Sequence, residues 1–570
     1  MSTNARKTPE RPCDTSSTLL HTDPDGGSAD SVLTVDPRKS RYAHSRSHGS
    51  GSGFERALIL MPFLIALYNL LVMQDWDTLL GLLQEPRWLI QILMLLFFTI
   101  LGLRDIHALY ATIFPFTIYI CKCMTQSPSI PDIAYIEILL LFNEGVVRAG
   151  DYGLDMSNLH VDPFLNIDID PPYLGHLHVT ILSLVQSATK PALLTSELGI
   201  IATGITLLLA TALSNEALEP YEVFLPVLSI GLIIATIPAL PFVYSAMRIT
   251  RTPPQHRTMR LIEQRLIYAC AAYATIAVMV VGVIRPWVKR RLPGEDEPFI
   301  WILRYMFQDH GWDVRLGMAT WWAVCVGMGI VVVVRLWSSQ TGMHPVKLRN
   351  EEEEKEFSAA LNRRRKFFHG LVVVMFIPTI SRDPEFAHLA FSFALCLFIL
   401  TEIIRACALP PFGAGLHAFL SNFTDDRDRR GGIVVSHLFL LTGCALPLWL
   451  TMANNYIPQV GIAELGGVLC LGLGDAMASI VGKEYGRVHW FGRKKTVEGT
   501  VAFVLAVLSG AYVAYCMEWL SPLVEVNWGS LTLATVSAAL LEAFSWQNDN
   551  LVIPLYMWTM LHALGATGHA

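Results

Sequence analysis

The sequence predicts an all-α polytopic integral membrane protein with about 14 transmembrane helices behind a disordered N-terminal tail. Two observations carry that expectation. Of 570 residues, 53% are hydrophobic and only 16% are charged, with a mean hydropathy of +0.44, more apolar than one soluble core requires. The apolar residues also fall into long runs separated by short polar breaks, the pattern of helix after helix crossing a bilayer.

The elements follow in order. Residues 1–54 are rich in Ser, Thr, Pro, Gly and Arg and hold no apolar stretch of signal-peptide character, so they read as a disordered polar tail with the first membrane helix acting as the signal. Residues 55–340 form the N-terminal transmembrane region, with apolar runs near 58–73, 88–104, 107–121, 196–214, 222–246, 266–284 and 316–336. Weaker candidates lie near 133–143, 176–187 and 297–307. Residues 341–570 form the C-terminal region, with runs near 367–380, 387–409, 433–450, 460–480, 497–517, 529–544 and 551–566.

Charge and cysteine content exclude several classes of function. A formal net charge of −6, spread over loops of mixed sign, leaves no basic face for nucleic acid. The ten cysteines are scattered through apolar runs, and Cys121-x-Cys123 has no second pair to complete a zinc site. In the N-terminal region Asp168-Ile169-Asp170-Pro171-Pro172 reads as a solvated turn. Reactive-looking groups concentrate after Gly342, so chemistry belongs to the C-terminal region.

Counting helices in that region brings four polar segments to one face: 347–366, 410–432, 483–496 and 542–550. The intervening loops near 381–385, 454–458 and 518–527 are short or carry few charges. Lys483, Arg487, Arg493, Lys494 and Lys495 mark the shared face as cytoplasmic by the positive-inside rule.

On that face, Leu471-Gly472-Leu473-Gly474-Asp475 closes an apolar run, and Arg493-Lys494-Lys495-Thr496 precedes the next helix. Glycines beside an Asp allow close backbone approach to phosphate, the carboxylate suits a divalent ion, and lysines supply charge to phosphate oxygens. Thr496 is placed to cap a helix whose free N–H groups favour an anion. The two ends of this loop are therefore expected to clamp one nucleotide site, with Asp475 toward the metal. Gly482-Lys483 is no P-loop, because no Ser or Thr follows and no Gly stands five residues before.

Other candidates surround this pair. Arg365 and His369 fall on one side of a helix at i and i+4, and His369 either deprotonates an alcohol or satisfies a carbonyl. Glu402 and Arg405 are either a structural ion pair or a pair facing the site. Glu542 lies inside an apolar pattern, where an unpaired carboxylate is costly, so it is expected to meet a metal ion or a lysine. The run Glu351 to Glu354 reads as a solvated face.

Together these residues resemble a known family. Gly474-Asp475-Ala476-Met477-Ala478-Ser479, Gly482, Gly486, Trp490, Gly492, Lys494-Lys495-Thr496 and Glu498-Gly499-Thr500 are similar to the CTP-binding motif of the polyprenol kinases, dolichol kinases in particular. Arg365-Lys366-x-x-His369, Glu402 to Arg405, and Leu541-Glu542-Ala543 with Asp549-Asn550 resemble further family segments in the same order, so the likeness covers roughly residues 340–566.

The resemblance implies transfer of the CTP γ-phosphoryl group to dolichol at the endoplasmic reticulum membrane, giving dolichyl phosphate for protein glycosylation. It implies CTP contacts from Gly472, Gly474, Asp475, Ala478, Gly482, Gly486, Lys494, Lys495, Thr496, Glu498 and Gly499. A divalent ion, taken as Mg2+, would sit at Asp475, with His369, Glu542 and Asp549 as candidates for acceptor activation or a second metal contact. Arg365, Lys366, Glu402 and Arg405 would support the site. A related Gly-Asp and Lys pattern occurs in CTP-dependent diacylglycerol kinases and in phosphatidate cytidylyltransferases. A transporter is the alternative of another class, with Glu402, Arg405 and Asp475 lining a path.

Overall fold

The structure is a computed structural model that describes residues 53–73, 180–186, 195–213, 351–420, 433–452 and 524–565, most of 227–332 and 460–522, and single positions such as Tyr110. The tail, the expected runs near 88–104 and 133–143, Cys121, Cys123, Asp168, Asp170 and the segment 421–432 lie outside the described residues.

Among the described residues the protein is all-helical, with one isolated bridge between His489 and Thr496. The N-terminal region contributes α1 (Gly53–Met73), α2 (Thr195–Leu213), α3 (Leu240–Thr250), α4 (Met259–Arg291), α5 (Pro298–Phe307) and α6 (Trp312–Val332). The C-terminal region contributes α7 (Glu351–Ile380), α8 (Pro384–Ala406), α9 (Gly413–Leu420), α10 (Ser436–Met452), α11 (Ile462–Glu484), α12 (Val497–Cys516), α13 (Trp528–Phe544) and α14 (Asp549–Ala563).

Five described helices are long and apolar enough to cross a membrane: α4, α6 over Asp313–Val332, α8, α11 and α12. The protein is thus multi-pass, whereas the expected total of about 14 extends beyond the described residues. Some expected spans are shorter than a bilayer needs. Pro298–Phe307 has 10 residues, about 15 Å at the usual helical rise. The run expected over 222–246 is described as a helix only in part, with Pro238 and Pro241 marking a 3₁₀ turn before α3.

The core is built around α14, which is buried from Asn550 to Ala563, with apolar side chains predominating on all its faces. Tyr556 and Trp558 are fully enclosed. Their polar atoms are satisfied by Leu58 O from α1 at 2.9 Å and Thr451 Oγ1 from α10 at 3.1 Å. Asn69 of α1 donates to Ala563 O at 2.6 Å, covering a carbonyl that the end of α14 leaves free. Small residues let α10 come close. A Cβ on Gly443 would lie 1.9 Å from Asn550 O, so only glycine fits at that crossing.

One expectation about local structure changes. Gly474-Asp475 is not at the end of a helix; α11 runs on to Glu484, and Leu469–Asp475 forms a π turn within it. Asp475 consequently sits nine residues before the helix end, about 13 Å along the axis. A π turn widens the helix by one residue and re-aims the side chains beside it, and such turns recur at functional sites.

Candidate active site

Asp475 is buried at the C-terminal edge of this π turn. Gly472, one turn earlier, explains what reaches it. A Cβ there would stand 2.2 Å from Val373 Cγ2 and 3.2 Å from His369 O, so the glycine lets α7 lie directly against α11. Lys366 and His369, at i and i+3 on α7, are thereby placed over the Asp475 carboxylate. Lys366 Nζ donates to Asp475 Oδ2, and His369 Nδ1 lies 3.3 Å from the same oxygen. His369 Nδ1 is also 2.8 Å from Leu471 O, so this buried histidine does satisfy a carbonyl, with the proton on Nδ1.

The second lysine arrives from the loop before α12. That loop is a narrow hairpin, with Trp490 N bonded to Lys495 O at 3.1 Å and Val497 N to Val488 O at 2.8 Å. The chain bends at Lys494 before Thr496 enters the bridge with His489. Lys494 faces solvent, Lys495 turns inward to Glu542 Oε1, and Thr496 turns to cap α12 by accepting from Gly499 N at 3.2 Å. Burial alone would lower the Lys495 pKa, but the carboxylates of Glu542, Asp549 and Asp475 outweigh it and hold this ammonium above the ordinary lysine value. The Lys495 side chain is 41% exposed against 5% for Glu542, so the site opens to the surface past the lysine.

Glu542, from the last turn of α13, and Asp549, from the first turn of α14, complete the arrangement. One ligand oxygen from each of Asp475, Glu542 and Asp549 lies within 4.8 Å of the others. Three carboxylates, two of them bonded to the ammonium groups of Lys366 and Lys495, therefore share one pocket. This donor set is all hard oxygen, which suits Mg2+.

Other residues expected at the site have different surroundings. The close approach at Gly474, Gly482, Gly486 and Gly499 is of helix on helix or helix on hairpin. A Cβ on Gly474 would meet Phe503 at 2.8 Å, one on Gly482 would meet Thr496 Oγ1 at 2.9 Å, one on Gly486 would meet Thr496 Cγ2 at 2.6 Å, and one on Gly499 would meet Ala478 O at 2.9 Å. Glu498 accepts from Arg487 N at 3.0 Å and Val488 N at 3.1 Å, which staples the base of the hairpin. Glu402 and Arg405 form a bidentate pair at 2.6 and 2.8 Å, and Glu402 also accepts from Val434 N at 2.6 Å. With Arg405 Nη1 3.4 Å from His417 Nδ1, these contacts tie α8 to α9 and to the segment entering α10. Arg365 is half-buried one turn before His369.

Two acids of the N-terminal region escaped the sequence reading. Glu55 and Glu197 are buried, and each reaches the site-bearing loops: Glu197 Oε1 accepts from Asn548 N at 2.8 Å, and Glu55 Oε2 lies 3.5 Å from Arg493 Nη2. Their signal was a single acid in the first turn of a predominantly apolar helix.

Fold and site together define a multi-pass membrane protein with a buried centre of carboxylates and lysines. A family model described as dolichol kinase matches residues 216–444. Dolichol kinase sec59 of Schizosaccharomyces pombe is 34% identical over 390 residues, covering 68% of this chain and 72% of the relative. Dolichol kinase EVAN of Arabidopsis thaliana is 32% identical over 51% of this chain and 47% of its own length. The dolichol kinase of Homo sapiens is 32% identical over 50% and 51% respectively. The matched part thus spans about half the length of the last two relatives. No solved structure matches the chain. The chain belongs to the dolichol kinase family.

Proposed function

We propose that this protein is a CTP-dependent dolichol kinase of the endoplasmic reticulum membrane, with its site open to the cytoplasm and its product, dolichyl phosphate, used in protein glycosylation. The observation that carries the reading is the junction of Asp475, Glu542 and Asp549 with Lys366 and Lys495, in a chain whose relatives bear the name dolichol kinase. Phosphoryl transfer asks a protein chiefly for positioning and charge neutralisation, and this pocket offers both signs of charge in a small volume.

The roles divide as follows. Asp475, Glu542 and Asp549 would hold Mg2+, which when bound neutralises phosphate charge. Lys366 and Lys495 are the two cations already turned into the pocket; exchanging a carboxylate partner for a phosphate oxygen keeps each ammonium bonded. Lys495, at the mouth, meets the triphosphate first. The dolichol hydroxyl oxygen forms the new bond to the γ-phosphorus, the bond from that phosphorus to the β-phosphate oxygen breaks, and CDP leaves. In this reading Asp549 would receive the hydroxyl proton on the carboxylate oxygen that it does not give to Mg2+. Its Oδ1 accepts from the Asn550 amide at 3.0 Å, whereas the other two carboxylates bind ammonium groups.

Purified protein supplied with γ-labelled CTP and either dolichol or diacylglycerol tests the proposal. Label in the dolichol fraction supports it. Label in diacylglycerol, or release of pyrophosphate with phosphatidate as acceptor, replaces it with the related lipid enzymes; transfer to no lipid favours the transporter.

A further inference from the structure

Asp549 stands one residue beyond the turn that joins α13 to α14, and that turn is held largely from outside its own region. Asn548 is the N-cap of α14, its side chain accepting from Asn550 N at 3.0 Å. Its own backbone N–H is buried and is accepted by Glu197 Oε1, 351 positions earlier, at 2.8 Å. Ser545 Oγ accepts from Gln547 N at 3.0 Å and is 2.9 Å from the hydroxyl of Tyr110, which in turn donates to Glu55 Oε1 at 3.1 Å. Arg493, whose Nη2 lies 3.5 Å from Glu55, also stacks over Trp546 at 4.6 Å, so the same brace reaches the hairpin carrying Lys495.

We propose that Glu197 is a positioning residue that fixes Asp549 within the carboxylate cluster through the Asn548 amide. The proposal rests on the kinase reading of that cluster. Glu197 is completely buried in a helix otherwise uncharged, where a carboxylate is costly unless something specific holds it there. A bond between a carboxylate and a buried amide is short, directional and stronger than a neutral one. It sets the N-cap, and the N-cap sets where the first residue of α14 points its side chain. Groups one shell outside a metal site tune affinity by orienting the ligands, typically by 10- to 100-fold. The N-terminal region would thus be part of the catalytic architecture instead of a bare membrane anchor.

The test compares full-length wild type, Glu197→Ala and Glu197→Gln in lipid nanodiscs. It reads hydrogen exchange of the peptide covering 545–550, Mn2+ binding by electron paramagnetic resonance, and KM for CTP against kcat. Glu197→Ala is expected to speed exchange in that peptide and weaken Mn2+ binding about 10-fold or more, with KM for CTP little changed. Glu197→Gln, whose carboxamide oxygen still accepts from the amide but carries no charge, is expected to fall between the two, with exchange faster and Mn2+ binding a few-fold weaker than in wild type. Wild-type exchange and Mn2+ binding in a folded Glu197→Ala protein overturn the proposal. If the alanine variant does not fold, Glu197→Gln decides: a few-fold weaker Mn2+ binding with faster exchange supports the brace, and wild-type values in both overturn it. Failure of the kinase reading looks different, since wild-type protein would then transfer no label from CTP to dolichol while the exchange comparison still reports on the Glu197–Asn548 bond.

Discussion

Lys366 and Asp475 are 109 positions apart in the chain and form a buried ion pair across the contact of α7 with the π turn of α11. The pair exists because Gly472 removes a side chain from the crossing point, and because the π turn aims Asp475 at the facing helix. Desolvating two charges can cost more than their attraction returns unless geometry and further hydrogen bonds compensate, so a pair like this one is weak evidence for stability. On the proposed reading it is a centre kept ready for a phosphate and a cation.

Asp475→Asn removes a charge while hardly changing volume. On the proposed reading it should lower turnover with CTP on the order of a thousandfold, equivalent to about 4 kcal/mol of barrier. Expression and membrane insertion should persist with some loss of stability, because Asn still accepts from Lys366 but no longer offsets its charge. Turnover within a few-fold of wild type would remove Asp475 from the chemistry.

Lys494 and Lys495 were expected to share a role, and the structure separates them. Lys495→Ala removes the inward cation and strands the buried Glu542, so kcat/KM for CTP should fall roughly 10- to 100-fold, as loss of about 1.5–3 kcal/mol of charged hydrogen bonding implies. Lys494→Ala, at an exposed position, should change it by less than about threefold. Because neighbouring carboxylates raise the Lys495 pKa, its ion pairing is complete below the ordinary lysine value and is lost only as pH rises through the higher folded value. The ratio of wild-type to Lys495→Ala activity should therefore stay level between about pH 7 and 9. Nucleotide titrations across that range check both statements, and equal effects of the two substitutions would contradict the different placement of the two side chains.

Glu402→Gln separates packing from catalysis. It leaves Arg405 facing a neutral partner and weakens the bond to Val434 N, which on breaking a buried pair costs about 3–5 kcal/mol. Thermal unfolding in detergent should move down by several degrees, while KM for CTP of the folded fraction stays unchanged. A raised KM with an unaltered unfolding temperature would return the pair to the site.

Much of this was legible in the sequence because the bilayer makes polar residues conspicuous. Glu542 stood out inside an apolar run and was expected to meet a metal ion or a lysine, and it does meet Lys495. Glu402 and Arg405 do pair with each other, as i and i+3 on one helix allow. What sequence spacing does not carry is the geometry between distant helices. Lys366, one of four consecutive basic residues, reads as a flank until the crossing at Gly472 shows which of them faces Asp475. Glu197 reads as a lone acid until α2 is set beside the turn before α14. The π turn has no sequence rule strong enough to announce it, so Asp475 was expected nearer the helix end than it is.

The orientation of the site can be read at Asn422-Phe423-Thr424, a glycosylation sequon in the segment 410–432. Helix counting puts this segment, which follows α8, on the same side as the hairpin of Lys494 and Lys495. That side is expected to be cytoplasmic, beyond reach of the luminal oligosaccharide transferase. Asn422 should therefore remain unmodified in cells, whereas a sequon engineered with a flanking spacer near Asn454 and Asn455, after α10, should acquire a glycan. Mobility shifts removed by endoglycosidase distinguish the two. A glycan on native Asn422 would invert the count and place Asp475, Lys495 and Glu542 on the luminal side, away from cytoplasmic CTP. The transporter would then account for the buried charges better than the kinase does.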